Sequence, residues 1–299
     1  MNKQKKIAII GASAASCIYA LFLKSKNYDV TLFESSNNIG GAWGQDNSGS
    51  KYSNIIYPLS QKERDIYQKS VNFLKKYGVK FKNNYQKTLF SKKVVNAKSC
   101  DLRGLYSLAK KKIKIKKNCE VRSLYESEKS VLINKKHLFD YVFFPTYIKL
   151  KSLYIKKNDK KKNISIPFLK MNKALHLRVV VYKLKKKKYD FSDLTLGPLD
   201  RFQIQSLKNS LYQINGRVLL NWKKKQKIKI IDKIRNSIDC ERIISSKFFS
   251  YRSCIRDNKQ IKILKNKLKE TRKVKYLETF TLLEFLRINI FNYIPLKKI

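Results

Sequence analysis

Residues 6 to 43, KIAIIGASAASCIYALFLKSKNYDVTLFESSNNIGGAW, constrain the fold more than any other stretch of the chain. Lys6 to Ile10 is a short, β-branched apolar run, the kind that suits a strand buried on both faces. The run breaks at Gly11 into small residues: Gly11, Ala12, Ser13, Ala14, Ala15 and Ser16. An apolar helical pattern follows through Cys17, Ile18, Ala20, Leu21, Phe22 and Leu23. Beyond a polar break at Ser25 to Asn27, Tyr28 to Phe33 reads as a second strand, closed by Glu34. The order predicts a βαβ unit, with a tight turn of small residues at the helix start and an acid at the tip of the next strand.

Dinucleotide binding is the chemistry such a unit serves. A helix N-terminus offers unpaired N–H groups and the positive end of its dipole to a pyrophosphate. Small residues let the backbone come close, and Glu34, 23 residues after Gly11, can accept both ribose hydroxyls, with Ser35 beside it. Against G-x-G-x-x-G the chain reads Gly11, Ser13 and Ser16, so only the first glycine is kept. Ser13 crowds the pyrophosphate unless its hydroxyl donates to it, while Ser16 is small enough for helix–strand packing.

Six residues after Glu34 comes the pair Gly40-Gly41, in ESSNNIGGAWG. With it the sequence resembles the FAD-binding Rossmann-like oxidoreductases, the superfamily of flavin amine oxidases, phytoene desaturases, protoporphyrinogen oxidases and UDP-galactopyranose mutases. The resemblance implies that Gly40, Gly41 and Ala42 pass near the cofactor phosphates. Trp43 is similar to the aromatic of the G-G-x-W of flavin monooxygenases. Further on, Asp140 to Thr146 (DYVFFPT) resembles the strand that brings such chains back to the Rossmann sheet. FAD is the cofactor implied, with NAD(P) the lesser alternative, and hydride transfer from a small-molecule substrate to the flavin is the reaction implied. A UDP-galactopyranose-mutase-like flavoenzyme and a catalytically degenerate dinucleotide-binding protein are the alternatives. The degenerate reading draws on a departure from the pattern: these families close with a Gly-Asp motif near the C-terminus, and no glycine follows Gly216. No residue stands out as catalytic. Tyr182, Arg201 and Trp222 fall where a pocket is expected, but ordinary sheet packing accounts for each of them.

The first residues also carry a competing pattern. MNKQKK is a basic leader, IAIIGASAASC an apolar core, and Ala14-Ala15-Ser16-Cys17 is similar to a lipoprotein cleavage box. A signal peptide, however, requires neither a strand ending in Glu34 nor a glycine pair beyond it. No apolar stretch reaches the span of about 20 residues that crosses a bilayer as a helix. The five cysteines include no C-x-x-C pair and are odd in number, which fits a reducing compartment and a cytoplasmic location. His137 and His176 show no metal-ligand spacing. The formal net charge of +47 creates a field that attracts anionic partners, although lysine, asparagine and isoleucine also share AT-rich codons. No nucleic-acid-reading motif accompanies that charge.

The expected class is α/β: a Rossmann-like FAD/NAD(P)-binding domain with a β-rich second, substrate domain. Residues 1–60 form the Rossmann-like core, and 61–115 a helical insertion opening at Ser60 with a capping box to Glu63 and stopping at Gly78. Residues 116–150 return to the FAD-binding domain through three short β-rich runs, with a turn at Asn134-Lys135-Lys136. Residues 151–270 are the β-rich substrate domain, with strands over Ala174–Leu184, Asp200–Ser206 and Arg217–Trp222. Residues 271–299 form a C-terminal helix, Tyr276–Ile290, packing back on the FAD-binding domain.

Overall fold

The computed structural model describes residues 4–41, 54–58, 60–87, 94–145, 150, 152–157, 160–164, 171–184, 193–197, 200–206, 209–218, 228–229, 231–232, 240–254, 258–277 and 282–296. The chain opens with β1 (Lys6–Ile10), α1 (Ala14–Ser25) and β2 (Asp29–Phe33). β1 and β2 pair in parallel from Lys6↔Asp29 to Ile10↔Phe33. Ser13 caps α1 by accepting the Ser16 N–H, one of the donors a helix start leaves without a partner. At the other end Asn27 takes φ 63°, while the amides of Asn27 and Tyr28 reach back to Lys24 O and Leu23 O. That is the left-handed stop a helix makes where glycine or asparagine follows it.

Next come β3 (Asn54–Ile56), α2 (Gln61–Lys76), β4 (Lys80–Lys87) and β5 (Val94–Asp101), the strands forming a small sheet in the order β3-β5-β4. The capping box forms at Ser60, whose hydroxyl accepts the Glu63 N–H. Gly78 ends the turn after α2 at φ 82°. α3 (Arg103–Lys112) then crosses close by: a Cβ on Gly104 would land on the Gly78 carbonyl, so the two backbones touch where both residues lack side chains. α3 packs along α1 and leads into β6 (Lys114–Lys116), parallel to β2. α3 runs through Lys112, so only the second half of the alternating stretch Lys112–Lys116 is strand.

β7 (Ser123–Glu126), β8 (Val131–Ile133) and β9 (His137–Phe139) form a meander, and β10 (Tyr141–Pro145) follows it. β10 pairs in parallel with the other side of β1, the position the DYVFFPT resemblance gives a returning strand. Asn134 and Lys135 both take positive φ in the β8–β9 hairpin, as a tight turn matched to strand twist requires. β11 (Ser152–Lys157) and β12 (Lys160–Ile164) extend the meander sheet to the order β12-β11-β7-β8-β9.

A third five-stranded sheet follows, from β13 (Met171–Leu184), β14 (Asp193–Gly197), β15 (Asp200–Ser206), β16 (Leu211–Val218) and β17 (Cys240–Cys254), in the order β14-β15-β16-β13-β17. All its pairings are antiparallel. Of the strand expected over 217–222, Arg217 and Val218 fall in β16, which starts earlier at Leu211 and is held in register by antiparallel pairing to β13, and 219–222 lie outside the described residues. β17 has no counterpart in the sequence reading: Ser245, Ser246 and Lys247 interrupt its apolar pattern, and its partner β13 supplies the ladder. Residues 185–188, Trp222 and Glu278 lie outside the described residues.

The chain closes with α4 (Asn258–Leu268), β18 (Val274–Leu277), the short α5 (Leu282–Leu286) and a π-helical turn, Arg287–Phe291. This corrects the expected helix over Tyr276–Ile290. Tyr276 and Leu277 belong to β18, which adds to β10 in parallel through Val142↔Val274 to Pro145↔Leu277. Four-residue apolar runs do not distinguish strand from helix, and here an open sheet edge decides in favour of the strand. The parallel sheet is thus β18-β10-β1-β2-β6.

Successive residues of β1 face opposite cores. Ile7 and Ile9 join α1, α2, α3 and the C-terminal segment, whereas Ala8 and Ile10 join Phe33, the meander and α4. Tyr19 of α1 meets Phe143 and Phe285 edge-on at 5.3 and 6.1 Å, and Phe22 meets Tyr293 at 5.1 Å. These aromatic contacts tie residues 282–296 to the first helix.

Candidate functional site

The β1–α1 turn, the end of β2 and the glycine pair meet at one corner. Gly11, at φ 81°, donates its N–H to Phe33 O at 2.7 Å, so the turn is tied to the last residue of β2. The chain beyond β2 then swings back over the turn. Gly40 N–H donates to Ala12 O at 2.6 Å, and Ser13 and Gly40 form a parallel bridge. Gly40 and Gly41 take φ 112° and 57°, values that disfavour any side chain. Gly41 also lies against Ser13, where an added Cβ would sit 3.5 Å from the serine Cβ.

Glu34 holds the centre of this corner and is buried. The Ala12 N–H donates to Oε2 at 2.8 Å, and the Ser36 N–H to Oε1 at 2.9 Å. Ser36 Oγ lies 3.0 Å from Oε1 and 2.6 Å from Asn38 O, so its single proton serves one of them at a time. Ser35 Oγ is 3.4 Å from Oε1. Each carboxylate oxygen therefore has one backbone donor; the serine hydroxyls crowd Oε1, and Oε2 keeps lone-pair capacity for another. The neighbouring strand braces the same residue through its main chain: Glu34 N–H donates to Lys116 O at 2.8 Å, and Cys119 N–H to Glu34 O at 2.8 Å.

The helix start is only partly satisfied from within. The first intrahelical bond is Cys17 N–H to Ser13 O, and Ser16 N–H goes to Ser13 Oγ. The amides of Ala14 and Ala15 precede that first bond, leaving them available to an anion. Ser13 Oγ and Ser16 Oγ are 3.0 Å apart. Cys17 is no nucleophile here. Burial pushes its thiol up to about 12, helped by the negative charge of Glu34, and the protonated sulfur points at Ala12 O, 3.7 Å away.

Of the residues singled out from the sequence, Gly11, Ala12, Ser13, Ala14, Ala15, Ser16, Glu34, Ser35, Gly40 and Gly41 gather at this corner. Ala42 and Trp43 lie outside the described residues. Ser36 was not anticipated, although it holds Glu34 through its amide; a small hydroxyl residue two positions after a strand-ending acid is the local signal. Tyr182 lies on β13 in another sheet, with Lys183 Nζ and the Arg242 guanidinium 5.1 and 5.0 Å from its ring. Arg201 falls on β15. Among the described residues no helix is long and apolar enough to cross a membrane.

The family model described as an NAD(P)-binding Rossmann-like domain matches residues 9–58. No curated protein matches the chain in sequence. Among solved structures, the chain is similar to an L-amino acid deaminase from Proteus vulgaris lacking its specific insertion sequence. The two share 13% identity with a TM-score of 0.53, covering 85% of this chain and 80% of the deaminase. It is also similar to the PF1083 protein of Pyrococcus furiosus, at 11% identity and a TM-score of 0.52, over 92% of this chain and 91% of that one. At such identities the likeness is one of fold. The protein is a mixed α/β chain with a parallel sheet and a Rossmann-like domain at its start.

Proposed function

We propose that the protein is an FAD-dependent oxidoreductase of the amine-oxidase or desaturase type, with the Glu34 corner holding the adenosine half of the cofactor. One observation carries this reading. The Glu34 carboxylate is fixed between the amides of Ala12 and Ser36 at the tip of β2, while Gly40 and Gly41 fold over the start of α1. The residues present fit the group on this side: the Ala14 and Ala15 amides with the helix dipole would take the pyrophosphate, and Glu34 would accept the ribose hydroxyls. Ser13 Oγ, already turned toward Ser16, is positioned to donate to a phosphate oxygen once that contact loosens. Gly41 leaves open the space above Ser13. The flavin, when bound, supplies hydride acceptance from a small-molecule substrate. The protein supplies orientation and exclusion of water.

The reading is tested on purified protein mixed with FAD. A retained flavin spectrum, lost or weakened about tenfold or more in Glu34→Ala, supports it. A colourless protein that cannot be reconstituted supports the degenerate alternative, which the absence of any glycine after Gly216 favours. A flavin-loaded protein that interconverts a nucleotide sugar with no net oxidation supports the mutase-like alternative.

A further inference from the structure

We propose that Lys116 and His137, with Lys114 and Lys136 beside them, form a binding site for a phosphate-class anion at the C-terminal edge of the parallel sheet. The inference goes beyond the cofactor reading and needs no bound dinucleotide. Lys116 Nζ lies 3.1 Å from His137 Nδ1 and 3.2 Å from Nε2, so the ammonium faces the whole nitrogen-bearing side of the ring. A neutral imidazole accepts one such bond; a second donor beside it has nothing to donate to unless an acceptor joins them. Phe33, fully buried, forms the floor, its ring centroid 5.6 Å from that of His137 and 5.6 Å from Lys116 Nζ. An apolar floor lowers local screening and strengthens charge-assisted bonds.

The position is set by the main chain rather than by loose surface lysines. Phe33 and Lys116 are register partners at the ends of β2 and β6, and Lys116 O takes the Glu34 N–H. His137 opens β9, directly after the tight turn at Asn134 and Lys135. The charges facing the ring are Lys114 and Lys116 from β6 and Lys136 from the turn, and together with burial they hold its protonated form down. Among the described residues no carboxylate pairs with these three lysines. An anion with several acceptor oxygens would bridge the lysine and the imidazole and relieve their repulsion.

The test uses the whole protein with inorganic phosphate as probe, at constant ionic strength. The two histidines are followed by NMR, with His137→Gln assigning the signals. Phosphate is expected to shift the His137 resonances, raise that residue's titration midpoint and leave His176 unmoved. Lys116→Ala should weaken phosphate binding about tenfold or more, with Lys62→Ala, on the exposed face of α2, leaving it unchanged. Unmoved His137 signals overturn the proposal. So does an equal response to chloride, or an equal loss in Lys62→Ala, since either outcome assigns the effect to the diffuse charge of +47. Lys116→Arg, which keeps the charge, guards against misfolding and should retain binding. Given a positive result, 2′-AMP binding more tightly than 5′-AMP identifies the phosphate as a ribose substituent of a bound nucleotide. Equal binding identifies a separate phosphorylated ligand. Because phosphate is the probe, the outcome is independent of whether FAD binds at Glu34.

Discussion

Glu34 and Glu126 are both buried carboxylates that each accept two backbone N–H groups, yet they serve different regions. Glu34 joins the β1–α1 turn to the loop after β2 and is flanked by serine hydroxyls and an open helix start. Glu126, at the end of β7, accepts Arg272 N–H at 2.6 Å and Val274 N–H at 3.0 Å, bolting the meander to the entry of β18. Nearby, burial lowers the pKa of Lys275, and Glu126 partly opposes that shift. The same device thus serves two joints that differ in their surroundings: Glu126 faces the main chain entering β18, whereas Glu34 lies beside the start of α1, where the Ala14 and Ala15 amides precede the first intrahelical bond. A buried acid is a structural clamp or a ligand site according to what remains unsatisfied around it.

That contrast can be broken by mutation. The largest expected effect is on Glu126→Ala, which strands the buried Val274 amide and the part-buried Arg272 amide and should cost about 3 kcal/mol of stability by urea unfolding. FAD affinity, measured in folded protein, should stay unchanged; if it falls as far as in the Glu34 variant, the division between clamp and site fails. Glu34→Gln should cost less stability, about 1 kcal/mol, because the amide oxygen still serves one backbone donor. Its main effect is expected on dinucleotide affinity, measured by fluorescence titration.

Alkaline titration sharpens the picture of the helix-side core. Cys17 and Cys100 have ordinary values of 9.0, pushed to about 12 first by burial and then by Glu34 and Asp101 respectively. A raised pKa means the folded state holds its proton more tightly, so this stabilisation is complete below pH 9 and is lost as pH rises from 9 toward 12. Urea midpoints should fall across that window, and less steeply in Cys17→Ala. The smallest effect is expected for Tyr106→Phe. Its hydroxyl is buried among the helix-side residues with no hydrogen-bond partner among the described residues, and burial holds its pKa well above 10.0. Removing that group should leave stability within about 0.5 kcal/mol or raise it, by thermal or urea unfolding.

The corner around Glu34 was legible because its parts are close in sequence and each answers a local demand. Gly11 must turn and Gly40 and Gly41 must lie close to the helix start, whereas the role of Ser13 as the helix cap came only from the structure. The returning strand at Tyr141–Pro145 was legible from its buried β-branched and aromatic run. Ser36 escaped notice because its amide and hydroxyl reach Glu34 only once the chain turns after β2. The Gly78–Gly104 contact escaped because two separate helix ends create it.

The opening residues by themselves determined the βαβ unit, the small-residue turn before its helix and the acid at the strand tip, since turn geometry and burial on both faces leave a short chain few other solutions. Tertiary structure alone decided that Val274–Leu277 is a strand rather than the start of a helix, that Glu126 braces it, and that Lys116 and His137 share one edge. Each of these depends on an open ladder position or a charge supplied by a distant segment, and no local periodicity encodes such a partner.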